Sequence, residues 1–218
     1  MEKVRNPPNE TKINNSKNLE NKIVYYSDKL SSNRIKKIVL ITNGVLLTED
    51  IAKFISEHKI LVGVSVDGTE GMFNDYRKSK DDKPVFHKVV NSFKLLKQYG
   101  VQVGISCTLN PAVVDNFKEV VDFLIALGVE NGLAFNILHE TPGLDVPYEY
   151  YQKAADFIIK AFQLFREKGI YEERFMRKLQ SFVKQEPIFS DCSATGNQIV
   201  VAPDGSVGVC QDFIKIKK

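Results

Sequence analysis

The sequence predicts an α/β protein built on a parallel sheet, and three observations carry that expectation. Short apolar runs recur along the chain, each stops at a polar or glycine-containing turn, and each is followed by a stretch whose apolar residues repeat at helical spacing. Strands alternating with helices of this length need crossover connections, so neighbouring strands run parallel with right-handed crossovers. A chain of 218 residues that is 43% hydrophobic and 26% charged is long enough and apolar enough to bury one sizeable core.

The first apolar run, Ile38 to Ile41, stops at Thr42-Asn43-Gly44 and reads as a strand entering a turn. Thr48 then suits the N-cap of a helix on which Ile51, Phe54 and Ile55 share a face, and a second strand, Leu61 to Val66, ends at Asp67-Gly68. Phe86, Val89, Val90, Phe93 and Leu96 form one helical stripe, Gly100 ends that helix, and Val101 to Leu109 is the third strand. Val114, Phe117, Val121 and Leu124 mark a further helix, closed by Gly128 before a fourth strand, Leu133 to Leu138. Upstream, Ile23, Val24 and Leu30 suit a helix, whereas residues 1–18 are polar, interrupted by Pro7-Pro8, and too poor in apolar groups to offset the entropy of ordering. They are expected to form a disordered leader. Beyond Pro142-Gly143, residues 148–168 and 172–185 read as two helices, and Pro187 marks a boundary. In the last segment Asp204-Gly205, between "QIVVAP" and "SVGVC", is a hairpin signal. The organisation is then a leader at 1–18, an α/β unit at 19–140, a helical linker region at 141–187 and a hairpin segment at 188–218.

Thirty basic against twenty-seven acidic residues give a net charge of +3, too balanced to imply a nucleic-acid groove. No run approaches the roughly 18 apolar residues of a membrane span, and the N-terminus has no signal-like apolar segment. The chain reads as soluble and cytoplasmic, and three cysteines in a reducing compartment point to ligation or burial rather than a bridge. In parallel α/β architectures the ligand lies at the carboxyl ends of the strands. There the chain carries Thr42 and Asn43, then Ser65 and Asp67, then Thr108 and Asn110, then Asn136, His139 and Glu140. Strand-end turns are polar in any protein, but four in succession suit a site for a polar small molecule. His58 reads as a solvated residue at a helix C-terminus, His87 as surface or half-buried structure, and His139 as a rim residue open to substrate contact or proton transfer. Cys107, with apolar neighbours inside a strand, reads as a small buried hydrophobe. The phosphate-loop, dinucleotide, zinc-protease and serine-hydrolase motifs are all lacking in these residues.

The series "ITNGVLL", "VSVDGTEGMFNDYR", "VVNSFKLLKQYGVQVGISCTL" and "FNILH", ending in C-x12-G-x4-C, resembles the radical SAM enzymes that carry a SPASM extension. Within them it is similar to the branch that modifies ribosomally made peptides, including thioether-forming maturases. The resemblance implies a partial (β/α)6 barrel over residues 19–140, with these four strands as its third to sixth, then helices and the start of a SPASM β-hairpin over 188–218. It also implies S-adenosylmethionine at the strand ends beside a 4Fe-4S cluster held by C-x3-C-x2-C, and a 5'-deoxyadenosyl radical that takes a hydrogen atom from the substrate. On this chain the resemblance makes Ser65 the ribose-side serine, Arg77 of "NDYR" the partner of the methionine carboxylate and Leu138 an apolar contact to adenine. Thr42, Asn43, Asp67 and Asn136 at the strand ends complete the expected cofactor-binding set. Cys192 and Cys210 match the first two SPASM cysteines, which help ligate an auxiliary 4Fe-4S cluster, with Gly205 in the turn between them. Two thiolates are half of such a site.

The departures are as informative. The sequence contains no C-x3-C-x2-C, and residues 1–18 bear no likeness to the glycine-rich turn that accompanies it. The expectation is a fragment or degenerate member of a radical SAM peptide maturase, truncated at both ends, keeping partial sites and inactive alone. The alternatives are a non-catalytic module that binds a precursor peptide or a complementing radical SAM chain, and a degraded gene product prone to aggregate through the exposed edge of its first strand.

Overall fold

The computed structural model describes residues 38–130, 132–140, 145–187, 199–201 and 206–210. The expected leader at 1–18, the helix expected around Ile23 to Leu30, Cys192 and the Asp204-Gly205 turn lie outside them. The chain divides into two compact units, Met1–Arg174 and Phe175–Lys218.

The first unit holds the sheet. Strands β1 (Val39–Thr42), β2 (Leu61–Ser65), β3 (Val103–Leu109) and β4 (Leu133–Ile137) stand in the order β1-β2-β3-β4, every pair parallel. Between and after them run α1 (Glu49–Glu57), α2 (Glu70–Tyr76), α3 (Phe86–Gln98), α4 (Pro111–Asp115), α5 (Phe117–Ala126) and α6 (Tyr148–Glu167). Alternation along each strand sends Val62, Val64, Ile105, Cys107, Leu109, Leu133 and Phe135 to one face, where all are buried. Helices cover that face: the Phe135 ring packs edge-on against Phe157 at 5.2 Å and stacks on Phe165 at 6.2 Å, both from α6. The opposite face carries Gly63 and Ser65 from β2, Gly104, Ser106 and Thr108 from β3, and Ala134 and Asn136 from β4, all half-buried. On β1 the same face presents Ile41, which is 64% exposed.

Local chemistry accounts for the elements. The Thr48 hydroxyl accepts the Ile51 N–H at 3.4 Å and starts α1 as expected, while His58 sits exposed at its end with Nδ1 2.9 Å from Phe54 O. Gly104 is needed because a Cβ there would lie 2.3 Å from the Gly132 carbonyl oxygen, which accepts the Ile105 N–H at 2.9 Å. Two features differ from expectation. The residues after Asp67-Gly68 form α2, a short helix whose seven residues include only Met72 and Phe73 as buried anchors, too few to set up a visible stripe. The single helix expected around Val114 to Leu124 is two, because Asn110 and Pro111 start α4 and Asn116, at φ −119° and ψ 48°, breaks it before α5. Considered separately, α7 (Glu173–Lys184) leads into the second unit, where β5 (Val200–Val201) pairs antiparallel with β6 (Val207–Gly208), so the expected hairpin ladder is present.

Phe135 is the keystone of the covered face. Replacing it by alanine removes a ring with no exposed surface and two aromatic partners, and urea denaturation of Phe135→Ala should show a loss of about 3–5 kcal/mol.

Candidate ligand site at the strand ends

The rim of the sheet is organised by one carboxylate. Asp67, just past β2 and 3% exposed, accepts the Thr108 N–H on Oδ1 at 2.7 Å and the Arg77 Nε–H on Oδ2. It therefore links the end of β2 to the backbone of β3 and to the residue that ends α2. The Arg77 guanidinium lies 6.0 Å from the Phe73 ring centroid and its side chain is 33% exposed. Among the described residues its Nη atoms have no partner.

Ser65 and Ser106 are register neighbours on the open face, with Ala134 next in the same row. Asn136 Nδ2 donates to Ser106 Oγ at 2.8 Å, and Arg174 Nη2 donates to Asn136 Oδ1 at 3.2 Å while its Nε donates to Phe135 O at 2.7 Å. Thr42 and Asn43 turn inward on their own loop: their side chains accept the N–H groups of Gly44 at 3.1 Å and Val45 at 3.2 Å. The Gly44 carbonyl, in a turn where its φ is +70°, accepts the Ser92 hydroxyl at 2.6 Å. Leu138 is half-buried and its N–H donates to the Tyr150 hydroxyl at 2.8 Å, which in turn donates to Leu109 O at 2.5 Å. Tyr150 thus clamps the ends of β3 and β4 together from α6, and its burial raises its phenol pKa. His139 and Glu140 are exposed, and His87 is a surface residue 2.9 Å from Glu70 Oε1.

Asp67, Arg77, Ser65 and Asn136 of the expected residues thus sit about one rim and face, while Thr42 and Asn43 serve their turn. Ser106, Arg174 and Tyr150 were not anticipated. Tyr150 begins a visible stripe with Ala154, Phe157 and Ala161, so its burial was readable from spacing, though its bonds were not. Cys210 lies two residues past β6 and is half-buried, and among the described residues no three His, Cys, Asp or Glu side chains converge as metal donors. Among those residues, too, no helix is long and apolar enough to cross a membrane.

No family model matches the chain. Among curated proteins it is 32% identical over 189 residues to a cysteine-type anaerobic sulfatase-maturating enzyme of Clostridium perfringens, covering 79% of this chain and 49% of that protein. It is 23% identical over 182 residues to the radical SAM cyclopropyl synthase TigE of Paramaledivibacter caminithermalis, covering 79% and 36%. Among solved structures, native anSMEcpe with bound AdoMet and the Kp18Cys peptide superposes with a TM-score of 0.77 at 26% identity, over 90% of this chain and 57% of that one. Streptococcus suis SuiB bound to its precursor peptide SuiA gives 0.60 at 12% identity over 92% and 47%, a likeness of fold. The homologues of this chain are anaerobic sulfatase-maturating enzymes and a radical SAM cyclopropyl synthase, and its structural neighbours are radical SAM/SPASM maturases. Its four parallel strands with their helices match the partial barrel of the anSMEcpe structures. The chain spans about half the length of the curated Clostridium relatives it matches.

Cys107 fulfils the bland expectation. It has no exposed surface, and burial first, then the nearby Asp67 charge, push its thiol pKa far up. The folded state therefore holds the proton that the unfolded chain releases above about pH 8.5. Its contribution to stability is complete below that pH and shrinks as pH rises. Denaturation midpoints between about pH 8.5 and 10 should fall more steeply for the parent protein than for Cys107→Ala.

Proposed function

We propose that these residues form the S-adenosylmethionine-binding part of a radical SAM maturase that modifies a ribosomally made peptide or protein. The observation that carries the proposal is the Arg77 guanidinium, fixed through Nε by a buried carboxylate and left with its Nη edge unpartnered. Such an edge offers two parallel N–H donors, the geometry that a carboxylate accepts end-on. Arg77 binds the methionine carboxylate, Ser65 the ribose side and Leu138 the adenine, with Thr42, Asn43, Asp67 and Asn136 shaping the rim. The peptide substrate is supported by the anSMEcpe structure, which holds the Kp18Cys peptide.

The described residues fit S-adenosylmethionine and do not fit a cluster. The face beside Arg77 is half-open and lined by small polar side chains, whereas no described group supplies three sulfur donors. The sequence as a whole has three cysteines and no C-x3-C-x2-C. In the family the cluster supplies the electron that cleaves the sulfonium, and here its ligands come from residues beyond these, on the same polypeptide or on another chain. Cys192 and Cys210 contribute to the auxiliary site, which also needs donors from elsewhere. These 218 residues on their own hold the ligand and do not generate the radical.

Calorimetry with S-adenosylmethionine and its decarboxylated analogue tests the carboxylate contact. The parent chain should prefer the carboxylate form by about tenfold or more, and Arg77→Ala should bind both alike. Equal binding of the two by the parent chain contradicts the assignment. Anaerobic reconstitution of the chain with iron and sulfide should yield no 5'-deoxyadenosine; a stoichiometric cluster with that product would show that the donors are all present.

A further inference from the structure

Three side chains on the open face form a directed chain of hydrogen bonds. Arg174 Nη2 lies 3.2 Å from the Asn136 amide, and the other end of that amide lies 2.8 Å from Ser106 Oγ. A guanidinium only donates, so the amide atom facing Arg174 is the oxygen and the one facing Ser106 is the nitrogen. That nitrogen donates in its turn and occupies a lone pair of the Ser106 hydroxyl. The hydroxyl proton must then point away from Asn136. Among the described residues no acceptor receives it, although the side chain is half-buried.

What surrounds this donor narrows the ligand. Ser106 stands in register between Ser65 on β2 and Ala134 on β4, all three on one face, so the row is a shallow floor of small side chains. Neighbouring strands are about 4.8 Å apart, which brings two hydroxyls side by side. Ser65 also has no hydrogen-bond partner for its hydroxyl among the described residues. The row Ser65, Ser106 and Ala134 carries no charged side chain, and the free Nη edge of Arg77 is taken by the carboxylate of the ligand. The pair therefore suits neutral oxygens on adjacent carbons, such as the hydroxyls of a sugar, better than an anion.

We infer that Ser106 is a further ligand-binding residue, donating to a sugar hydroxyl beside Ser65, and that Arg174, through Asn136, is the positioning residue that aims it. The inference rests on the S-adenosylmethionine reading and adds two residues to it. In Asn136→Asp the introduced carboxylate accepts from Arg174 and from Ser106 alike, so the Ser106 proton turns toward it and is lost to the ligand. The fold keeps the contact and gains an ion pair.

The test is calorimetry on the full chain with S-adenosylmethionine and its 2'-deoxy and 3'-deoxy analogues. Ser106→Ala should weaken S-adenosylmethionine about fivefold and leave one deoxy analogue unaffected. Asn136→Asp should show the same loss with an unchanged or higher melting temperature, and the double variant should lose no more than either single one. Undiminished binding by Ser106→Ala, retained affinity in Asn136→Asp or additive losses would each overturn the inference while leaving the ligand assignment standing. Absence of binding by the parent chain removes both.

Discussion

A carboxylate shut away from water persists only when its lone pairs are met, and at Asp67 that requirement fixes the rim. One oxygen takes a backbone N–H from β3, and the other takes the side chain that ends α2. The loop after β2 is therefore tied to a neighbouring strand and to a helix end at one point, and the arginine cannot wander. Its flat group is held against Phe73 and turned with one edge outward. A solvated arginine at the same place would lose several rotors on meeting a ligand, a cost of up to about 2 kcal/mol that the buried partner removes beforehand.

The two faces of the sheet divide the remaining work. Parallel sheets are ordinarily covered on both sides and read as continuous apolar runs. Here β2 and β3 alternate instead: Val62, Val64, Ile105, Cys107 and Leu109 meet helices, while Gly63, Ser65, Gly104, Ser106 and Thr108 face the other way. That alternation leaves one face covered by helices and the other half-buried. The edge strand β1 carries the cost, with Val39 and Ile41 exposed.

Much of this was legible because it is periodic. The strands and the longer helices follow from spacing, and Thr48 announces α1 through a side chain that needs only its own next turn. What escaped notice is short or distant. The helix α2 is seven residues long and buries two, and Asn116 splits a stripe whose apolar spacing runs straight across it. The site was harder. Asp67 shows as a strand-end residue and Arg77 only through the "NDYR" motif, and nothing in their ten-residue separation says that one holds the other. Ser106 looks like any strand serine, and Arg174 reaches Asn136 across 38 positions of sequence. Such pairings exist only once β3, β4 and the segment after α6 are folded together.

The most direct trial of the account is amide chemical-shift mapping of the isotopically labelled chain titrated with S-adenosylmethionine. Changes should concentrate at Ser65, Asp67, Arg77, Ser106 and Asn136. Changes confined to the helix-side groove lined by Val45, Lys88, Ser92 and Leu95, or no changes at saturating ligand, would contradict it.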